Sequence, residues 1–541
     1  MRKPRLRLGR LPLAFVALAA VAGLSIPVAK VIAMRVAPSA DTANCDKAAI
    51  QSAVHLAHVT VDSARFNTSG SFTSPGTITP VTRLPAYCGV TLTQTDPAGN
   101  RIRIVVWLPA KWNGDFQGLG GSEYSCGIFY SSLALAINDG YSTAATNCGH
   151  AGYEGTSHWA LHSNGTLNEA LITDFASVGI HDMSVVGKAV TKAYYTRQAR
   201  YFYFNGCSTG GHEGLVEAQE YPADYNGIVA GAPAINWTKF VPAEIWPQLV
   251  MNSSHDFLPS CKENAFVKAA VKACDGQDGV IDGVIADPAK CDWNPDKLIG
   301  FRTRCGVITR TDAAVVEKIW EGPTTTSGEP LWYGLERGAS LAVLAGTTTN
   351  RAGVTTGNPF SVPVAWLGTW LLRDPKWNWR TLTYAQFDML FQQSVAEFSG
   401  VLAAADPDLT AFRKDGGKIL IWHGLADQYI FPQGTIDYYQ RVQQAMGGLA
   451  ATDSFARLFL APGAQHCASA AGPAPANPLA AVVNWVQHGK APVSIPGTIT
   501  NPVTGAVIRS RPLCMYPLVA RYTGHGSTNK ARNFTCVRPS S

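Results

Sequence analysis

The chain has 541 residues, of which 46% are hydrophobic and only 15% charged, a composition that supplies a sizeable core and excludes an intrinsically disordered protein. The formal charge of +6 includes six lysines and arginines, and no acid, within residues 1–33. Without that segment the chain is near neutral, and nothing in it favours a polyanionic partner such as nucleic acid.

The first residues read as an export signal. Arg2, Lys3, Arg5, Arg7 and Arg10 precede an apolar run over residues 11–28, and Val31-Ile32-Ala33 offers a small-residue cleavage step after Ala33. The run is nearly long enough to be an uncleaved anchor; once cleaved, it leaves a secreted or periplasmic protein with no membrane attachment. Twelve cysteines, none in a CxxC pair, suit disulfides in an oxidising compartment better than a zinc site. Six bridges are possible, and the count alone does not set their connectivity.

In chain order, residues 102–110 form a β-branched strand, followed by the glycine-rich segment Gly118-Leu119-Gly120-Gly121. Residues 166–196 carry helical periodicity, with Leu171, Phe175, Val178, Ile180, Val185 and Val186 as the expected buried positions. A short aromatic strand over 201–204, a helix over 209–221 and a buried strand over Gly227–Gly231 follow. Residues 237–410 differ: strands are hard to find, tryptophans are frequent, and Gly/Thr/Asn clusters interrupt the pattern. The alternation then resumes with a strand at 418–422, a helix at 432–446, a strand at 455–460 and a helix at 479–488. This predicts an α/β protein in which one parallel-sheet domain, residues 34–236 and 411–541, carries a large insertion, 237–410.

The strongest local signal is Gly206-Cys207-Ser208-Thr209-Gly210, a G-x-S-x-G placed between an apolar strand and a helix. That context is what a nucleophile elbow needs: the glycines permit a turn that lifts the serine hydroxyl clear of the sheet, and the Thr209 N–H points where an oxyanion forms. A serine hydroxyl needs a base and an orienting acid. Asp427 and His466 each sit just after a predicted strand and follow the serine in the order acid then base. His423 and His150 compete for the base, with His423 read as a loop-stabilising residue; Asp406, Asp408 and Asp453 follow no strong strand. Cys207 precedes the serine and Cys467 follows the histidine, so a Cys207–Cys467 bridge would tie the two loops together and stabilise the fold through chain entropy.

Residues 275–287 place Asp275, Asp278 and Asp282 within eight positions, among glycines. Hard oxygen donors at this density suit Ca2+, although the spacing is not that of an EF-hand. Cys274 and Cys291 flank this loop and are placed to clamp it.

Together these residues resemble the tannase and feruloyl esterase family, with its Cys-Ser…Asp…His-Cys arrangement at Cys207-Ser208, Asp427 and His466-Cys467. The resemblance runs over residues 45–540 and includes Gly231-Ala232-Pro233-Ala234. It implies an α/β-hydrolase fold with the insertion as a lid between the nucleophile and acid strands. It also implies hydrolysis of aromatic carboxylic esters: feruloyl or other hydroxycinnamoyl esters, galloyl esters, or mono(2-hydroxyethyl) terephthalate. An acyltransferase would use the same triad with another acceptor. The second oxyanion donor implied is the N–H of Gly120 or Gly121; Leu119 departs from the family's run of glycines. His212 stands where a larger polar residue is common and receives no role. The implied calcium set adds the carbonyls of Val280 and Val284 to the three aspartates, and the implied terminal bridges are Cys45–Cys88 and Cys514–Cys536. Cys126–Cys148 and Cys261–Cys305 are what remains, with their pairing left open. No organic cofactor is expected, the partner is a small aromatic or plant-derived ester, and oligomeric state is not addressed. The tryptophans of 237–410 are read as lid core before substrate contacts.

Overall fold

Side-chain alternation along the central strands explains how this chain builds its layers. In the computed structural model, which describes residues 44–75, 77–150 and 158–539, nine strands form one sheet. They are β1 (Val59–Asn67), β2 (Tyr87–Thr95), β3 (Arg101–Pro109), β4 (Phe116–Leu119), β5 (Ser142–Thr146), β6 (Phe202–Cys207), β7 (Gly227–Gly231), β8 (Lys418–Gly424) and β9 (Ala456–Ala461). Their spatial order is β1-β2-β3-β5-β4-β6-β7-β8-β9. The pairs from β1 to β5 are antiparallel, and every pair from β5 through β4 to β9 is parallel. The export signal expected at residues 1–33 lies outside the described residues.

Successive residues of a strand point to opposite faces. Ile104, Val106, Phe204, Ile228, Ala230, Ile419 and Ile421 pack into one layer, under helices Gly179–Tyr195, Thr209–Glu220 and Pro432–Ala445. Their neighbours Tyr203, Val229, Leu420 and Trp422 pack into the opposite layer against helix Pro478–His488, while Val105 and Trp107 meet helix Tyr130–Asn138. Strands covered on both faces read as unbroken apolar runs. Each fully buried Ile, Leu or Val in them contributes roughly 1.5–3 kcal/mol.

The insertion leaves the sheet after β7 and returns at β8. It is mostly helical, with helices Trp237–Ala243, Trp246–Ser253, Ser260–Cys274, Arg310–Glu321 and Tyr384–Leu402 and two short strand pairs. Capping boxes at Thr309/Asp312 and Thr383/Gln386 start two of these helices. Trp237, Trp246, Trp293, Trp320, Trp366 and Trp370 are buried in its core, which continues into Tyr124, Phe175, Ile430 and Phe431 beside the sheet. The insertion's core therefore extends into the loop and helical segments beside the sheet, while the layers on the sheet's own faces are separate clusters.

Two expectations change in detail. The helix predicted over 166–196 is broken into Glu169–Thr173, a π-helical turn Asp174–Val178 and Gly179–Tyr195; a Cβ at Gly179 would stand 2.7 Å from Cys148 Sγ, so the chain shifts register where it meets that bridge. The C-terminal segment beyond the last predicted helix pairs Ser494–Thr500 with Val507–Cys514, and Ala474–Pro475 from before that helix completes a small sheet. The four expected bridges are present, Cys45–Cys88, Cys207–Cys467, Cys274–Cys291 and Cys514–Cys536, and the pairing that the sequence left open is Cys126–Cys148 and Cys261–Cys305.

Candidate active site

β6 ends at Cys207, helix Thr209–Glu220 begins at once, and Ser208 between them has φ 66° and ψ −125°. A non-glycine residue in that region is strained and persists only where its surroundings impose it. Here they do. The Ser208 N–H donates to Gly231 O at 2.9 Å, and Ser208 O accepts from the N–H groups of Gly211, His212 and Ala234 at 2.9–3.0 Å. The glycines around it serve close approach: a Cβ on Gly206 would fall 2.2 Å from Gly210 O, and one on Gly120 would fall 2.4 Å from Gly210 Cα. Thr209 is the first residue of its helix, so its N–H belongs to the turn that lacks intrahelical acceptors.

Asp427 follows β8 and is fully buried. Its Oδ1 accepts the N–H groups of Tyr429 and Ile430 at 2.9 and 3.0 Å. Its Oδ2 accepts His466 Nδ1 at 2.7 Å and His423 Nε2 at 3.1 Å. Burial pushes this carboxyl up, but the His466 and His423 rings outweigh it and hold Asp427 well below the usual carboxylate range. A carboxylate accepts only, so the proton on His466 sits at Nδ1, leaving Nε2 to act as a base. Ser208 and His466 line one cavity of about 190 Å3, and the Cys207–Cys467 bridge holds their loops with Cα atoms 6.0 Å apart. His423 Nε2 also faces Ile430 O at 3.1 Å, while its Nδ1 meets Thr435 Oγ1 at 2.8 Å. The residue expected to stabilise the loop is thus a second donor to Asp427. His150 is engaged with the Cys148 and Tyr124 carbonyls, away from Asp427. His212 Nδ1 faces Ala234 O, and burial pushes its ring down to about 4.

The expected second oxyanion donors are engaged elsewhere. The Gly120 N–H is directed at Asn205 O, 3.4 Å away, and the Gly121 N–H donates to Glu213 Oε2 at 2.8 Å. For either glycine to serve an oxyanion, its N–H must turn from its present acceptor. The sequence reading missed Glu213, because a glutamate four residues into a helix start looks solvent-facing; here it is fully buried, and burial pushes its carboxyl well up.

The cavity walls include Trp237, Phe240, Phe360 and Tyr429, with the Tyr429 ring centroid 5.2 Å from that of His466. Two carboxyls, Glu123 and Glu244, also line it. Glu244 was missed as well, although a signal existed: it is the one charged residue in the apolar run 240–251. A larger cavity of about 380 Å3, lined by residues such as Leu460, Tyr516 and Phe534, includes neither Ser208 nor His466.

The Asp275 loop presents oxygen donors only, which suits a hard cation in kind. Its carboxylates are nonetheless occupied within the protein. Asp275 accepts the N–H groups of Asp282, Gly283 and Val284 at 2.9–3.2 Å, Asp278 accepts that of Val280 at 2.9 Å, and Asp282 pairs with Arg511, with Arg509 at 3.8 Å. Among the described residues, the acidic and histidine atoms that approach within 4.8 Å of one another are instead those of His181, Glu217 and Asp224. There Lys188 Nζ bonds Asp224 at 2.7 Å, a cation already in place.

A family model described as tannase and feruloyl esterase matches residues 88–537. A probable feruloyl esterase of Arthroderma benhamiae is 44% identical over 83% of this chain and 86% of its own length. Feruloyl esterase B of Aspergillus niger is 30% identical over 90% of this chain and 94% of its own length. Among solved structures, feruloyl esterase B from Aspergillus oryzae superposes with a TM-score of 0.80 at 28% identity, over 92% of this chain and 99% of that one. The tannin acyl hydrolase from Aspergillus niger gives 0.83 at 24% identity, over 93% and 96%, which speaks to the fold. With its elbow serine on a mostly parallel sheet and this match over most of its length, the chain belongs to the tannase and feruloyl esterase family of carboxylic ester hydrolases.

Proposed function

We propose that this protein is a secreted serine esterase that hydrolyses esters of aromatic carboxylic acids, feruloyl or related hydroxycinnamoyl and galloyl esters, through Ser208, His466 and Asp427. The observation that carries the reading is the 2.7 Å contact between the buried Asp427 carboxylate and His466 Nδ1, beside the cavity that holds Ser208. The His466 Nε2 takes the Ser208 proton as Oγ attacks the ester carbonyl. The Thr209 N–H receives the oxyanion, a contact typically worth about 2.7–4 kcal/mol. His466 then passes the proton to the leaving alcohol, and a water activated by the same nitrogen hydrolyses the acyl-serine. The aromatic walls support a flat acyl group, and residues 237–410 act as the lid that supplies most of them. Names of relatives support the feruloyl class. Export is supported by the N-terminal pattern and by six disulfides.

The test is release of free acid from methyl ferulate, methyl gallate, chlorogenate and the terephthalate monoester by purified protein, without an added alcohol acceptor. Release that survives Ser208→Ala rules out the triad assignment, and turnover that requires an alcohol acceptor points to acyl transfer.

Asp275, Asp278 and Asp282, with the carbonyls of Val280 and Val284, are proposed to hold a structural calcium, which would tie the loop between Cys274 and Cys291. Binding requires Arg511 to share or release Asp282. Chelation followed by dialysis should lower the melting temperature, and restored calcium should raise it; an unchanged value discards the site.

A further inference from the structure

Glu244 places a carboxyl in an aromatic cavity where, among the described residues, its Oε2 meets no hydrogen-bond partner. The residue is 2% exposed, it lines the cavity with Ser208 and His466, and its Oε2 has no hydrogen-bond partner among the described residues. Its backbone N–H donates to Phe240 O at 3.0 Å, so the unmet atom is on the side chain. Buried polar atoms are almost always bonded, and one that is not calls for a ligand or a function. Burial first, and then the charges of Glu123 and Asp427, push its carboxyl well above the ordinary range. A protonated carboxyl both donates and accepts, which matches a phenolic hydroxyl, itself a donor and acceptor.

We infer that Glu244 recognises a ring hydroxyl on the acyl group of the substrate, so that the enzyme selects hydroxylated aromatic acids over unsubstituted ones. This rests on the aromatic-ester reading above and deepens it. It also separates the substrates that reading leaves together. A terephthalate monoester would carry a second, ionised carboxyl into the cavity. Among the described lining residues there is no lysine or arginine to meet it, and Glu123 and Glu244 both stand there. An unpaired charge in such a place is strongly disfavoured. A hydroxyl is accepted.

The experiment compares kcat/KM for methyl cinnamate, methyl 3-hydroxycinnamate and methyl 4-hydroxycinnamate in the wild type, Glu244→Gln and Glu244→Leu. A site built to bond a hydroxyl rejects the analogue without it, so one hydroxy ester should exceed the cinnamate by about tenfold or more in the wild type. In Glu244→Leu that ratio should fall to within about twofold of one. Glu244→Gln, which keeps a donor and an acceptor, should retain most of the preference. Glu244→Met, of similar length and apolar, replaces the leucine variant if that one does not fold. A wild-type ratio near one, or an apolar variant that keeps the full preference, overturns the assignment while leaving the esterase reading intact. If the wild type cleaves none of the three esters, the aromatic-esterase reading itself fails.

Discussion

His423 and His466 share one oxygen of Asp427: Nε2 of the first lies 3.1 Å and Nδ1 of the second 2.7 Å from Oδ2. The other oxygen is filled by two backbone N–H groups. The acid is therefore held from four directions, and the plane of the carboxylate, which sets the orientation of the His466 ring, is not free to rotate. His423 comes from the end of β8 itself and is anchored at its far nitrogen by Thr435, so the sheet adds to the hold that the loop N–H groups have on Asp427.

Replacing His423 by alanine should lower kcat/KM by about tenfold or more, because a hydrogen bond to a charged group contributes about 1.5–3 kcal/mol. The pH dependence has a definite sign. A carboxyl whose folded pKa is depressed stabilises the protein above its unfolded value, about 4, and that stability is lost as pH falls toward the folded pKa. Removing one cause of the depression shrinks the gain, so urea unfolding at pH 7 should show His423→Ala less stable than wild type. The difference should narrow as pH falls below about 4.

The Cys207–Cys467 bridge joins residues 260 apart in sequence. For a closed loop of this length chain entropy gives about 5–6 kcal/mol. Its loss in a Cys207→Ala/Cys467→Ala variant should appear in denaturant unfolding at up to that size. Since both cysteines neighbour reacting residues, kcat should fall more than KM rises. A variant that loses stability but keeps wild-type kcat would make the bridge a staple alone.

Much of this site was legible because Ser208, Asp427 and His466 each follow a strand with a strong apolar signal: the aromatic run before Cys207, the run before Trp422 and the run ending at Leu460. The strand Ser142–Thr146 was not legible. It is buried at every position yet built of Ser, Thr and Ala, so neither alternation nor bulk marks it. β1 is half exposed beyond Val61, and β4 spans only four residues. The buried acids escaped for a different reason. Nothing local distinguishes Glu213 from a solvent-facing helical glutamate, since its burial comes from Gly120 and Gly121, some ninety residues earlier in the chain. The same contact explains why Gly121, recognised as part of the site, points its N–H away from it.

Glu213→Gln tests that buried contact through pH. Burial raises the folded pKa of Glu213, so the folded state holds the proton more tightly than the unfolded chain. The resulting stability is present below the unfolded value, about 4.3, and is lost as pH rises from there toward the folded pKa, by about 1.4 kcal/mol per pH unit for one proton. Glutamine exchanges no proton and can still accept the Gly121 N–H. The melting temperature of the variant should therefore gain on that of wild type as pH rises from 5 through 8, in a titration followed by circular dichroism. Parallel curves would mean that Glu213 ionises without cost.

The approach of the glycine loop to the elbow is tested by Gly120→Ala. The added methyl would lie 2.4 Å from Gly210 Cα and 2.7 Å from Glu213 Oε2. The glutamate tip can yield, but Gly210 is backbone in the first turn of the helix that carries Ser208 at its start, so the elbow or the glycine loop must move. Overpacking of this kind typically costs about 1–3 kcal/mol. The larger effect should be on turnover, because a shift of about 1 Å at reacting groups can cost about a hundredfold in rate. Gly400→Ala is the matched control: it lies in helix Tyr384–Leu402 with nothing within 4 Å of the new methyl, and alanine there should be neutral or slightly stabilising. If Gly120→Ala retains wild-type kcat on methyl ferulate while Gly400→Ala behaves as expected, the elbow tolerates a displaced glycine loop. The loop would then not be what positions Ser208, and the strain at Ser208 would have to be held by its backbone bonds to Gly231, Ala234, Gly211 and His212.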